Sequence, residues 1–296
     1  YSELDLTPFF APFFMLFFGM CFGDGGYGLL LFGVATFVKL NIKKQSVRDI
    51  ASLGQWFGLA TVFVCLFTGS FFGMTIGPLN IMGSGGLVER QLGLKENYGM
   101  LFLSILIGVI QVLFAMCVKV AKIIKQQGIK YALSQAAWVL VLICGIVYLA
   151  AGNSLGAGIY VVYALAGIAL LIAFFYNSPG KNIFLNFGIG IWDTYNMASG
   201  LLGDLLSYIR LFALGFTGGV LGMVFNDLAF SIDVGFLPVN ILATGLVLII
   251  GHSLNIALNG LGAFVHPLRL TFVEFYKNAG FEGGGKQYTP FRKNQK

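Results

Sequence analysis

Charged residues are scarce in this sequence. Asp, Glu, Lys and Arg make up 10% of its 296 residues, where a soluble domain carries about 25%. That shortage excludes a chain with a mostly water-facing surface. Histidine and cysteine are scarcer still, with two and four copies. Cys21, Cys65, Cys117 and Cys144 each lie inside an apolar stretch without CxxC spacing. They read as small hydrophobes, not as metal ligands or a redox pair. His252 and His266 stand fourteen residues apart in one apolar block and cannot sandwich a haem on their own. No metal site, cofactor site or Ser–His–acid set is readable. The net charge of +6 is not a nucleic-acid signature, because the lysines lie mostly in segments flanking apolar blocks. A basic leader with a short apolar core is also lacking, so the first apolar block is not a signal peptide. The start at Tyr1 without Met is expected of a processed chain or a piece of a longer one.

What the sequence has in quantity is apolar length. Hydrophobic residues make up 57% of it, in blocks at 8–38, 50–77, 98–124, 131–151, 156–176, 187–229 and 237–277. A membrane helix needs about 20 apolar residues to cross ~30 Å of hydrocarbon. The first block is too long for one crossing, at about 46 Å of straight helix. Its middle reads Gly23-Asp24-Gly25-Gly26-Tyr27-Gly28, a strong helix breaker. Splitting it there predicts eight spans, or seven if the turn does not reverse the chain. The expected fold class is all-α: a polytopic transmembrane helical bundle of about eight spans in a lipid bilayer. The last two blocks reach about 60 Å each as helix, long enough to tilt or to project from the bilayer.

Basic loops alternate along this layout. Lys39, Lys43, Lys44 and Arg48 mark one side; Glu89, Arg90, Lys95 and Glu96 cancel on the next. Lys119, Lys122, Lys125 and Lys130 return to the first side, and the loop at 151–155 is uncharged. Lys181, then Asp227 and Asp233, then the Lys- and Arg-rich tail from Lys277 complete the alternation. With eight spans both termini are expected to be cytoplasmic.

Two arginines break the apolar pattern, Arg210 in Leu-Leu-Ser-Tyr-Ile-Arg-Leu-Phe and Arg269 in His-Pro-Leu-Arg-Leu-Thr-Phe-Val-Glu. A guanidinium cannot shed its charge, and Arg near the centre of a membrane helix costs roughly 2.5–3.5 kcal/mol on the insertion scale. Each arginine lies on a polar stripe with helical spacing. One stripe reads Asp193, Asn196, Gly200, Asp204, Ser207, Arg210, Leu214, Thr217; the other reads His252, Asn255, Asn259, Gly262, His266, Arg269. Polar groups on one side of a membrane helix face the protein interior or a water-filled cavity, so two such helices side by side could line an ion path. Asn255, Ser207 and Thr217 taken singly also suit ordinary interhelical hydrogen bonding. After Arg210 come Gly215, Gly218, Gly219 and Gly222, two overlapping GxxxG pairs that let another helix approach closely. Two nucleotide-like patterns are discarded. Gly23–Gly28 matches GxGxxG but lies between membrane segments, and Gly280–Lys286 lacks the following Ser or Thr and any preceding strand.

These motifs carry a resemblance. Pro8-Phe9-Phe10-Ala11-Pro12-Phe13-Phe14 with Phe18–Gly28, then Ser207-Tyr208-Ile209-Arg210-Leu211-Phe212-Ala213-Leu214, then His266-Pro267-Leu268-Arg269-Leu270-Thr271-Phe272-Val273-Glu274-Phe275 resemble, in order, the membrane domain of subunit a (or I) of rotary V/A-type ATPases, prokaryotic type. The resemblance implies a non-catalytic stator against a rotor ring of proteolipid subunits, held by peripheral-stalk and central-stalk subunits in the cell membrane. It implies one transmembrane domain over 1–296, with 1–176 as supporting helices and 187–279 as two ion-channel helices facing the ring. A cytoplasmic N-terminal arm would precede it. Arg210 would be the essential arginine and Arg269 its partner. Asp24, Asn196, Asp204, Ser207, His252, Asn255, Asn259, His266 and Glu274 would line paths for H⁺ or Na⁺. Leu214, Gly215, Thr217, Gly218, Gly219 and Gly222 would continue the rotor face beside Arg210. Eukaryotic relatives carry a histidine where Gly218 stands and a glutamate where Asn259 stands, which puts a proton-relay version of the path in question here. A secondary transporter using both stripes and a membrane anchor with snorkelling arginines are the rival readings; the lack of a clear internal repeat argues weakly against the transporter.

Overall fold

In hydrocarbon every backbone N–H and C=O needs an internal partner, and a helix supplies one residue by residue. The apolar blocks accordingly form helices in the computed structural model, which describes residues 6–75, 98–151, 158–175, 183–232 and 235–281. Among these are α1 (Thr7–Phe22), α2 (Gly25–Asn41), α3 (Gln45–Thr68), α4 (Tyr98–Gln127), α5 (Ile129–Ala151), α6 (Gly158–Phe175), α7 (Ile183–Phe230) and α8 (Leu237–Leu270). A π-turn over Thr271–Phe275 continues α8. Helices α3 to α8 are long and apolar enough to cross a membrane, and α1 is a shorter apolar helix. The protein is a multi-pass helical membrane protein. The charge-balanced loop with Glu89, Arg90, Lys95 and Glu96, together with Lys181, Asp233 and the tail from 282, lies outside the described residues.

The first block divides where the sequence breaks. Gly23 takes φ 65°, a left-handed conformation cheap only for glycine. Asp24 then caps α2, accepting from the backbone N–H groups of Gly26 and Tyr27. Phe14 and Phe18 both pack on Phe57 of α3, and Gly19 lies against Ala60 and Val64, so α1 runs alongside α3. Gly28 lies against Thr61, Ala35 against Gly54, and Lys39 donates to Gln55 at 2.9 Å, so α2 runs against α3. The chain therefore reverses at Gly23–Asp24, which supports the eight-pass layout. At 16 and 17 residues, α1 and α2 measure only about 24–26 Å each.

The expected block 50–77 is shorter as a helix. It stops at Thr68, with Gly69 in the left-handed region. Ser70–Phe71 and Met74–Thr75 then pair as the short antiparallel strands β1 and β2. The turn between them holds Phe72 at φ 48° and Gly73 at φ 73°.

The chain forms two compact units, one of Phe10–Gln111 with Asn196–Glu274, the other of Tyr1–Phe9, Val112–Tyr195 and Phe275–Lys296. In the second, α5 and α6 pack through Ala137, Ala169 and Ala173, flanked by Trp138, Val141 and Ile172. There Lys122 Nζ donates to the Gly280 carbonyl at 2.7 Å, satisfying a backbone acceptor left over at a helix end. In the first unit α7 and α8 run antiparallel. Gly262 faces Leu214, Asn259 faces Gly218, Gly251 faces Phe225 and Thr244 bonds Ala229.

Gly215 is where α7 meets α1. A Cβ there would strike the Met20 carbonyl oxygen, and backbone cannot yield as a flexible side chain does. Gly215→Ala is expected to lower stability by about 1–3 kcal/mol, the usual effect of overpacking, read as a lower thermal unfolding midpoint in detergent. Gly219→Ala, where an added Cβ meets nothing within 4 Å, is the matched control. Equal midpoints for the two variants would mean that α1 and α7 do not pack this closely.

Candidate functional site

Two polar clusters lie along the α7–α8 pair of the first unit. The inner one is a small recess lined by Ser207, Arg210, His266, Arg269, Leu270 and Glu274. Ser207 and Arg210 follow at i and i+3 on α7; His266, Arg269 and Leu270 follow at i, i+3 and i+4 on α8. Glu274 joins them through the π-turn. Pro267 has no N–H to give to the helix, and its carbonyl accepts the Thr271 hydroxyl at 3.0 Å. A π-turn takes up an extra residue, and Glu274 lies within it. The Glu274 side chain is 3% exposed. Ser207 faces its carboxyl group, while its Oε2 has no hydrogen-bond partner among the described residues. Arg210 is half-buried and Arg269 exposed, and both guanidinium charges act on His266.

Around the recess, Tyr208 turns the other way. Its hydroxyl donates to Gln111 Oε1 at 2.9 Å, and its ring fills the space that the missing side chain of Gly108 leaves. Asp204 is buried one turn before Ser207–Tyr208. Its charge and that of Glu274 both reach Tyr208.

The outer cluster lies beyond the contact between Leu214 and Gly262. Asn259 Nδ2 donates to Asn255 Oδ1 at 2.5 Å. Asn255 Nδ2 donates to the Gly218 carbonyl at 3.0 Å and to the Tyr27 hydroxyl at 2.9 Å. Tyr27 Oη lies 2.6 Å from His252 Nδ1, and His252 Nε2 lies 3.1 Å from Asn226 Oδ1. Asn226 Nδ2 donates to the Phe72 carbonyl at 2.7 Å. Tyr27, Asn255 and Asn226 are buried, so each of these bonds replaces water the groups cannot reach.

Asp24 sits where the α1–α2 turn meets the β1–β2 turn and is 1% exposed. Its Oδ1 accepts from the N–H groups of Gly26 (2.8 Å), Tyr27 (3.3 Å) and Phe72 (2.8 Å). Its Oδ2 accepts from Gly73 N–H at 2.8 Å and Ser70 Oγ at 3.1 Å. Five donors occupy the carboxylate, and three come from a loop some 46–49 residues away in sequence.

The remaining residues singled out from the sequence divide by face. Asn196 is exposed. Thr217 is exposed, and its hydroxyl donates to the Leu214 carbonyl at 2.9 Å. Gly215, Gly218 and Gly222 face inward, against Met20, Asn259 and the Gly73–Tyr27 region. Gly219 has open space beside it, and Leu214 is half-buried. Sequence reasoning did not single out Asn226 or Gln111, or Tyr27 and Tyr208 beyond their motifs. Asn226 had a signal: steps of four from Arg210 run Leu214, Gly218, Gly222, Asn226, and that row, not one through Thr217, faces α8.

No family model matches the chain. Among curated proteins it is 29% identical, over all of this chain and 46% of the relative, to an A-type ATP synthase subunit I of Methanocaldococcus jannaschii. It is 29% identical, over all of this chain and 50% of the relative, to a V-type ATP synthase subunit I of Borreliella burgdorferi. An A-type ATP synthase subunit I of Pyrococcus abyssi is 33% identical over 98% of this chain and 43% of its own length. The chain spans about half the length of the relatives it matches. A run of relatives that align with it from end to end, together with two arginine-bearing helices set antiparallel, places the chain in the subunit a/I family of rotary V/A-type ATPases.

Proposed function

We propose that this chain is a membrane stator that contacts a rotor ring of proteolipid subunits and forms the two half-paths by which H⁺ or Na⁺ reaches and leaves that ring. The observation that carries the reading is the recess in which Arg210 and Arg269, from opposed helices, stand with buried Glu274, separated from a second polar cluster by the Leu214–Gly262 contact. Each cluster serves one half-path. A rotor carboxylate carrying its ion is neutral and crosses lipid readily. Beside a fixed guanidinium the charged carboxylate is favoured, so the ion is given up there. The same fixed charge repels a cation that would otherwise leak from one half-path to the other.

Arg210, Leu214 and Thr217, on one face of α7, form the ring-facing surface. Residues 1–176 support the two ion-path helices at 187–279. Glu274, Ser207, Asp204 and His266 serve the inner half-path, and Asn255 and Asn259 the outer. The chain performs no catalysis itself. Stalk subunits join the complex to its ATP-handling part, and basic Lys39–Arg48 and Lys119–Lys130 support a cytoplasmic location for their side and for the C-terminus.

Purified chain in liposomes is expected to conduct no more H⁺ or Na⁺ than empty liposomes, because the carriers belong to the ring, while the assembled complex accumulates the ion on ATP addition. Solute- or ion-gradient-driven flux from the chain alone would instead support a secondary transporter.

A further inference from the structure

We propose that Tyr27 and His252 are positioning residues that close a one-way hydrogen-bond chain holding Asn255 and Asn259 at the outer cluster, with His252 locked as the neutral Nε2–H tautomer and not passing protons. The amide groups of Asn255 and Asn226, on either side of the Tyr27–His252 pair, are each pinned by a backbone carbonyl, which can only accept. Asn226 gives its NH₂ to the Phe72 carbonyl, so the oxygen is the atom it turns to His252 Nε2, and that nitrogen must carry a hydrogen. Asn255 gives its NH₂ to the Gly218 carbonyl and to the Tyr27 oxygen. The Tyr27 hydroxyl hydrogen is then free to go to His252 Nδ1, 2.6 Å away, and Nδ1 must be an acceptor. Donors thus point one way from Asn259 through Asn255, Tyr27, His252 and Asn226 to Phe72.

Adding a proton at Nδ1 would set two donors, Asn255 and His252, on the Tyr27 oxygen and leave its hydroxyl hydrogen without an acceptor. The packed elements bring few other charges to the ring. The α1–α2 turn brings Asp24, saturated by five donors; α7 brings the exposed Asp227 beside Asn226. Near His252 the sequences of α8 and the β1–β2 turn add no ionisable group. Amide links on both sides of the Tyr27–His252 pair also interrupt proton hopping, since an amide N–H does not pass its proton on as a hydroxyl does.

The inference about transport rests on the stator reading; the tautomer does not. The test is ¹⁵N spectroscopy of the chain labelled at histidine in lipid bilayers, with the His252 signals assigned by difference from His252→Gln. The expected result is one neutral Nε2–H signature at neutral pH. Tyr27→Phe is expected to release it, so that the same ring populates both tautomers. An Nδ1–H or charged ring in the unchanged chain, or no effect of Tyr27→Phe, would overturn the proposal. In the assembled complex Tyr27→Phe is expected to reduce ATP-driven uptake about tenfold, a loss in the range for buried groups left unpaired. His252→Gln, which can still accept and donate, is expected to retain the larger part of it. Complete loss in His252→Gln would overturn the positioning role. Arg210→Ala measured in the same vesicles keeps the two ideas apart: full uptake there defeats the stator reading and leaves the tautomer result standing.

Discussion

Arg210→Ala in the assembled complex is expected to reduce ATP-driven ion uptake to background while the complex still forms. The side chain is half-buried and lines the inner recess, so removing it takes away charge without opening a core. On the proposed stator reading its effect comes through a rotor carboxylate. Without a fixed cation the carboxylate has no reason to ionise in an apolar setting, where the charged form is strongly disfavoured, and the ion stays bound through a full turn. Arg210→Lys keeps a charge but replaces a planar fork of donors by a point charge whose pKa falls readily on burial; its uptake is expected to fall nearly as far. Arg269→Ala should have the smaller effect of the two arginines, because Arg269 is the more exposed. Vesicle uptake with an ion-sensitive dye is the measurement. Wild-type uptake in Arg210→Ala would remove the stator reading and leave the two arginines as anchors.

The spans were legible because hydrocarbon admits so few backbone solutions. Apolar run length sufficed to locate every long helix, and Gly23-Asp24 was enough to divide the first. The arginine recess was legible as well, since Ser207, Arg210, His266 and Arg269 stand out on apolar helices at steps of three and four. Three features were hidden, each for a physical reason. The end of α3 at Thr68 depends on Asp24, whose carboxylate draws the next residues into a turn; no local propensity forces Phe72 to φ 48°. The placement of Glu274 depends on a π-turn, a rearrangement of one backbone repeat that leaves no periodic trace. The inward use of Gly215, Gly218 and Gly222 was hidden because small residues mark a close approach without naming the partner, which here is within the chain: α1, Asn259 and the β1–β2 turn.

Asp24 is the position where the sequence and the structure suggest different roles, and its substitution has the largest expected effect on stability. A carboxylate between membrane helices looks like a member of an ion path. Here it is a clasp. Phe72 and Gly73, both in left-handed backbone, turn successive N–H groups onto it in the manner of an anion-binding nest, while Gly26 and Tyr27 do the same from α2. Asp24→Ala leaves those donors buried where water does not reach, at about 1–3 kcal/mol for each that stays unpaired. The β1–β2 turn is then expected to detach, taking the Phe72 carbonyl from Asn226 and loosening the outer cluster, so the variant should fail to yield a folded chain. Asp24→Asn is the informative substitution. Its Oδ1 can keep three donors, but an NH₂ in place of Oδ2 confronts the Gly73 N–H, while the Ser70 hydroxyl can rotate to accept. An intermediate unfolding midpoint is expected, with transport falling in step with the folded fraction. If Asp24→Asn instead unfolds like the unchanged protein yet transports nothing, the carboxylate exchanges an ion and belongs to the path after all.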